Sequence, residues 1–205
     1  MEEKSEAQYL HALEVAWEKL LELDSSKVAE NAKVNFDNAK KEFAVLWLNE
    51  LYHVRLESRE VVGDNNKSAG VLLSLVILRY LLGAKNVELS NKLISFRDLH
   101  GGNIYYGVFE RSVLKPITKN FASKPEKLIE VASSFNARKL NYGDASVEIQ
   151  IFPRLPITII VWKGDEEVPS SANVVFDESA KYQLSAEEIC VISALVVSKL
   201  IKYGG

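Results

Sequence analysis

The sequence predicts an α+β fold, with a mainly antiparallel sheet of about five strands packed against helices and a helical N-terminal arm. Three observations carry this expectation. Helical periodicity dominates residues 5–33 and 67–135. Strand-type alternation and continuous apolar runs fill 143–176. A capped, almost wholly apolar helix then closes the chain. With 205 residues the chain fits one domain, 1–205, made of a helical segment 1–38, a middle part, and a strand-strand-strand-helix part over 143–205.

Taken in order, Tyr9, Leu13, Ala16, Leu20 and Leu21 fall at helical spacing over 5–24, and Ser5 with Gln8 forms a capping box. Asp24-Ser25-Ser26 breaks this helix, and a short one follows over 26–33. Phe43–Leu48 is apolar without a break, and Tyr52–Leu56 alternates apolar with polar. A β-hairpin turning at Asn49-Glu50 fits both, while a helix over 40–51 competes with it. A buried helix follows from about 67 to Gly83, where glycine suits a left-handed C-cap. Residues 103–121 read as helix that Pro116 must kink or interrupt, and Pro125 starts another over 125–135. Val147, Ile149 and Ile151 alternate with Glu148 and Gln150 in a strand with one wet face. Ile157–Trp162 reads as a central strand and Asn173–Phe176 as a third. Ser185 and Glu188 form a capping box ahead of a helix to about Lys202. Its apolar residues surround it, so it is either sandwiched in the core or part of a homodimer interface.

Composition narrows the function classes. Apolar residues make up 47% and charged residues 26%, with a net charge of −3, so no overall positive field favours nucleic acid or an anionic membrane. Lys115, Lys119, Lys124 and Lys127 are dispersed among acids rather than gathered. Cys190, the only cysteine, excludes an intrachain disulfide and a cysteine-built metal or iron–sulfur site. The N-terminus is charged, and Val71–Leu82 is short of the ~20 apolar residues a spanning helix needs. A soluble, cytoplasmic protein is therefore expected.

Three segments could carry chemistry. Ser95–Asn103 (SFRDLHGGN) precedes a predicted helix; Gly101 and Gly102 would let a ligand approach the backbone, and Arg97 and His100 would bind its phosphate or carboxylate. The structural alternative is a tight Gly-Gly turn, an Arg97–Asp98 pair and an Asn103 cap. In Phe152–Pro156 two prolines stiffen the chain around Arg154, which suits either anion recognition or a structural ion pair. Asp165, Glu166 and Glu167, with Asp144 and Asp177, could ligate a cation or serve as acid and base; they equally suit solvated turns. Cys190 reads as an inert core filler. No metal site is assigned, and no cofactor is named by the pattern.

As a set, Gly143-Asp144-Ala145, FPRLP, W-x-G-D-E-E-x-P, FDESA and the acid-bearing start of the last helix, with upstream SFRDLHGG, resemble an uncharacterised prokaryotic family, domain of unknown function 3786. The resemblance covers about 90–182 most clearly. It implies a compact α+β domain, found mainly in anaerobic bacteria and archaea. Some relatives carry a cysteine-rich iron–sulfur segment that hints at corrinoid, redox or one-carbon metabolism; this chain lacks those cysteines. Val168 stands where the family pattern has an aromatic.

The expected function is a non-catalytic binding or accessory protein for a small anionic ligand or cofactor. Arg97, His100, Gly101, Gly102 and Arg154 are expected to contact the ligand, with Asp165 orienting an arginine. The alternatives are a metal-dependent enzyme acting on a phosphoryl or acyl group, and a homo-oligomeric scaffold subunit.

Overall fold

A computed structural model describes residues 2–204, with side chains from residue 7 onward. The fold is α+β, as expected, but its strands form two sheets of four and five strands rather than one of about five. The chain divides into two compact units. The first comprises residues 1–88, 152–154 and 182–184; the second comprises 89–151, 155–181 and 185–205.

In the first unit, helix α1 (Glu2–Glu22) begins ahead of Ser5, so no helix start lies at that residue; the Ser5 side chain falls outside the described residues. Helix α2 (Ser25–Ala32) is capped by Asp24, whose side chain accepts from the Lys27 N–H at 2.8 Å. Four antiparallel strands follow in spatial sequence: β1 (Asn35–Asp37), β2 (Glu42–Trp47), β3 (Glu50–Arg55) and β4 (Glu60–Gly63). The hairpin prevails over the competing helix at 40–51. Its turn is Leu48-Asn49, both at positive φ (48° and 64°), one residue earlier than expected.

Alternation along these strands sorts the sheet into two faces. Phe43, Val45, Trp47, Val54 and Val61 are buried. The other face sets Glu42 opposite Arg55 and Ala44 opposite His53. Helix α3 (Val71–Gly83) packs on α1 and buries Ile77, Leu78, Tyr80 and Leu81. Gly83 is not a left-handed cap. A Cβ there would lie 2.6 Å from the Gln183 carbonyl oxygen, so glycine is required by the close approach of another backbone. Gln183, itself buried, returns its side-chain amide to both the N–H and the C=O of Lys85, at 2.9 and 3.2 Å.

The second unit holds the five-stranded sheet, in the order β5 (Leu93–Ser95), β9 (Ser171–Asp177), β8 (Leu155–Trp162), β7 (Ala145–Phe152), β6 (Arg138–Leu140). The expected central strand is the middle one, β8, which is buried along nearly all its length. Helix α4 (Gly102–Phe109) runs through a π-helical turn, Glu110–Leu114, into α5 (Lys115–Phe121). Pro116 lacks the N–H that would close the preceding turn, and the backbone widens one residue before the α-helix that contains it. Helix α6 (Pro125–Ser133) begins with its proline at the first turn.

Helix α7 (Ala186–Gly204) is capped as the sequence predicts: the Ser185 hydroxyl donates to Glu188 at 2.8 Å and accepts from the Glu188 N–H at 3.3 Å. Ile189, Ile192, Val196, Val197 and Leu200 are buried within the chain, as in the core alternative for this helix. Cys190 is buried too, and burial pushes its thiol pKa up, away from the reactive thiolate.

Gly83→Ala should destabilise the chain by about 1–2 kcal/mol in urea unfolding. The overlap with the Gln183 carbonyl outweighs the better helix propensity of alanine. A variant more stable than the parent would show that the approach is not tight.

Candidate functional site

The SFRDLHGG loop builds itself from local bonds. Ser95 donates to the Asp98 carboxylate through its hydroxyl at 2.7 Å and its N–H at 2.8 Å, closing a capping box around one 3₁₀ turn, Phe96–Asp98. These two bonds hold the Asp98 carboxyl below its ordinary pKa. Asp98 is thus engaged with Ser95 and not with Arg97. The Arg97 guanidinium instead lies 3.7 Å above the centre of the Tyr106 ring, and no acidic side chain among the described residues pairs with it.

Gly101, at φ +79°, is the N-cap of α4 in place of the expected Asn103. A Cβ on Gly102 would come within 2.0 Å of the Phe96 carbonyl oxygen, so that glycine is needed for the fold of the loop itself. His100 is exposed beside it.

Arg154 is placed quite differently. Only 5% exposed, it belongs to the first unit, and its Nε donates to the Asn31 carbonyl at 2.7 Å. Nη1 donates to the Val87 carbonyl at 3.1 Å and the Glu88 carboxylate at 3.3 Å; Nη2 meets the Glu30 carbonyl at 3.5 Å and the Asn86 side-chain oxygen. All five donors of the guanidinium are therefore directed at acceptors of the chain itself, and none is left for an anion. Two of those acceptors are carbonyls at the C-terminal end of α2, where unpaired oxygens and the helix dipole favour a cation. Beside it the Tyr80 hydroxyl donates to the Ala32 carbonyl at 2.7 Å and accepts from the Arg154 N–H at 3.1 Å. Burial raises the Tyr80 pKa, which keeps that hydroxyl a donor. The expectation that Arg154 contacts a ligand is replaced by a capping role.

The acidic candidates serve turns. Asp165 accepts from the Glu167 and Val168 N–H groups at 2.9 and 2.8 Å, and among the described residues it pairs with no arginine, contrary to expectation. Asp144 accepts from the Lys163 N–H at 2.7 Å. Asp177, 5% exposed, accepts from the N–H groups of Ser90 (3.0 Å), Asn91 (2.7 Å) and Ser179 (2.9 Å) and from the Ser90 hydroxyl (3.2 Å). Among the described residues no three His, Cys, Asp or Glu side chains are arranged to hold a metal ion.

A further cluster was not anticipated. On the polar face of the four-stranded sheet, His53 bridges two carboxylates: Nδ1 lies 2.7 Å from Glu42 and Nε2 lies 2.9 Å from Asp64. Arg55 donates through Nε to the other Glu42 oxygen at 3.1 Å and through Nη2 to the Asn66 side chain at 2.8 Å. The Asp64 bond raises the His53 pKa; burial lowers it, and the Glu42 bond adds to the rise, so the net shift is upward. Burial raises that of Glu42, but bonds from His53 and Arg55 outweigh it and the net shift is downward. The cluster lines a cleft of about 550 Å³ with Lys40, Glu57 and Gly63.

A family model matches residues 24–199, nearly the whole chain. The chain belongs to the family described as Domain of unknown function (DUF3786). No curated protein and no solved structure matches it. In this DUF3786 chain, the residues that carry the family resemblance are largely architectural: Arg154 caps a helix, Asp165 and Asp144 hold turns, and Asp177 holds the 90–91 segment. No local motif marks the His53 cluster, since it draws on positions 42, 53, 55, 64 and 66. Its signal is the spacing of charged residues on one face of a hairpin, readable only once the register is known.

For Asp177, burial acts to raise the carboxyl pKa, but the bonds from Ser179, Ser90 and Asn91 win and the net shift is downward. Its stabilisation is therefore complete above the unfolded value near 3.9 and is lost as pH falls through the lower native value. Asp177→Asn should cost about 1–3 kcal/mol at pH 7. The gap between parent and variant in urea unfolding should narrow steadily as pH drops below about 4; a gap independent of pH would refute this assignment.

Proposed function

We propose that this DUF3786 chain is a non-catalytic binding or accessory protein that recognises a small molecule through an anionic group, and that Arg97 supplies the contact. What supports the reading is the guanidinium stacked 3.7 Å over Tyr106 with its hydrogen-bonding edges uncommitted. An aromatic platform restrains a guanidinium without consuming its N–H donors. It is thereby prepared for paired bonds to a carboxylate or phosphate.

The surroundings support it further. His100 adds a second donor in the same loop, and Gly101 carries the chain through a left-handed turn there. Ile104, 81% exposed, and Val108, 44% exposed, offer apolar surface on α4. Asp98, the carboxylate within its own loop, is already bound to Ser95, and Asp165 is bound to backbone N–H groups of its turn.

Native mass spectrometry of freshly purified protein, with a thermal-shift panel of inorganic phosphate, nucleotides, corrinoids and tetrapyrroles, tests the reading. At least one anion should co-purify or raise the melting temperature. Arg97→Met should then weaken its binding about tenfold or more, the value of one charge-assisted bond, with the unliganded melting temperature little changed. Silence across the panel, or unaltered binding by Arg97→Met, would end it.

A further inference from the structure

His53 touches a carboxylate oxygen at each ring nitrogen, 2.7 Å on one side and 2.9 Å on the other. Ionised carboxylates only accept hydrogen bonds, and a neutral imidazole has one N–H to give. The two contacts can coexist as hydrogen bonds only while the ring carries both protons. A neutral ring must turn a lone pair toward one carboxylate, and that contact becomes repulsive.

The two carboxylates are not equivalent. The Glu42 side chain is 14% exposed and is held from its other oxygen by Arg55, whereas Asp64 is 70% exposed and can exchange the imidazole for water. The remaining proton therefore stays on Nδ1, facing Glu42, and Asp64 is the arm that lets go. Asp64 sits in the turn after β4, a turn closed on itself by bonds from Gly63 N–H to Lys67 and from Asn66 N–H to Gly63, at 2.9 and 2.8 Å. That turn is tied to β3 by the His53–Asp64 contact and the Arg55–Asn66 bond. It is also a wall. Gly63 and Asp64 line both the cleft of about 550 Å³ and a second of about 500 Å³ lined by Tyr52, Asn65 and Lys67.

We propose that His53 is a proton-operated latch on the partition between these two clefts: protonated, it clamps the Asp64 side of the Gly63–Lys67 turn to β3, and on losing a proton it frees Asp64 and loosens the turn. The turn then keeps the Arg55–Asn66 bond and the Tyr52–Gly63 pairing as its ties to β3. The charged groups around the ring are Glu42 on β2, Lys40 in the turn before it, Arg55 on β3, Glu57 beyond it, Glu60 opposite Arg55 on β4, and Asp64 and Lys67 in the turn itself. With the ring protonated, the groups lining the first cleft balance; without the proton, they carry an excess negative charge next to Asp64. That adds to the outward push. The clamp is complete below the ordinary imidazole range and is lost as pH rises through the native midpoint of His53.

The test joins two measurements on the full chain. NMR titration of the ring should give a midpoint above the reference of about 6.5, with the Nδ1–H tautomer beyond it. Amide exchange at Asn66 and Lys67, corrected for intrinsic base catalysis, should rise several-fold through the same pH. Asp64→Asn separates the latch from general loosening. Its amide can donate to the neutral Nε2, so the variant should lower the His53 midpoint and keep the turn protected above it. A midpoint at or below 6.5, a turn indifferent to pH, or an Asp64→Asn variant that opens like the parent would each overturn the proposal.

Discussion

The first unit depends on a buried cation with every donor used. Arg154 places five N–H groups against the last carbonyls of α2, the 86–88 segment and a carboxylate, and its own backbone N–H meets Tyr80. A guanidinium is suited to this because its fork is planar, permanently charged and rigid, so one side chain can meet acceptors from several directions. The flanking residues follow from that requirement. Phe152 stacks on Tyr80 at 4.1 Å and lies 5.1 Å from Trp47, which places the start of the turn in the aromatic core of the unit. Pro153 has no N–H needing a partner in that setting.

Around that constraint the polar residues divide by what they have left to give. Asp144, Asp165 and Asp177 spend their oxygens on nearby N–H groups, and Asp98 spends its on Ser95. Such bonds replace water for turns whose backbone groups have no strand or helix partner. Capacity for other chemistry remains where side chains meet ions or solvent instead of turns. One such place is Arg97 on its tyrosine, and another is the charged face of the four-stranded sheet. The contrast between the two arginines is one of bookkeeping: both sit near turn-forming residues, yet one has no donor free and the other, among the described residues, has no acidic partner.

Much of the fold was legible because it rests on local chemistry. The alternation in 147–151, the apolar run 157–162, the Ser185–Glu188 box and the disturbance ahead of Pro116 all act within a few residues. What escaped was short or long-range. Strands β1, β5 and β6 have three residues each, too few to show a period, and exist by pairing with a longer neighbour. The turn at Leu48-Asn49 was misplaced by one residue because leucine seldom adopts positive φ. That slip matters for function. A turn at Asn49-Glu50 sets Leu46 opposite His53 and hides the cluster, whereas the observed register puts Ala44 there and brings Glu42 opposite Arg55, within reach of His53. The role of Arg154 was likewise unreadable, since the acceptors that surround it come from residues 30–31 and 86–88, far away in the chain.

The most direct measurement is urea unfolding of Arg154→Lys against the parent chain. Lysine keeps the charge and much of the length but offers one ammonium in place of a five-donor fork, so helix carbonyls and the 86–88 segment lose partners they cannot replace with water. The account predicts a loss on the order of 2–4 kcal/mol. A variant within about 0.5 kcal/mol of the parent, the range of ordinary surface substitutions, would mean that the guanidinium does not hold this part of the chain together.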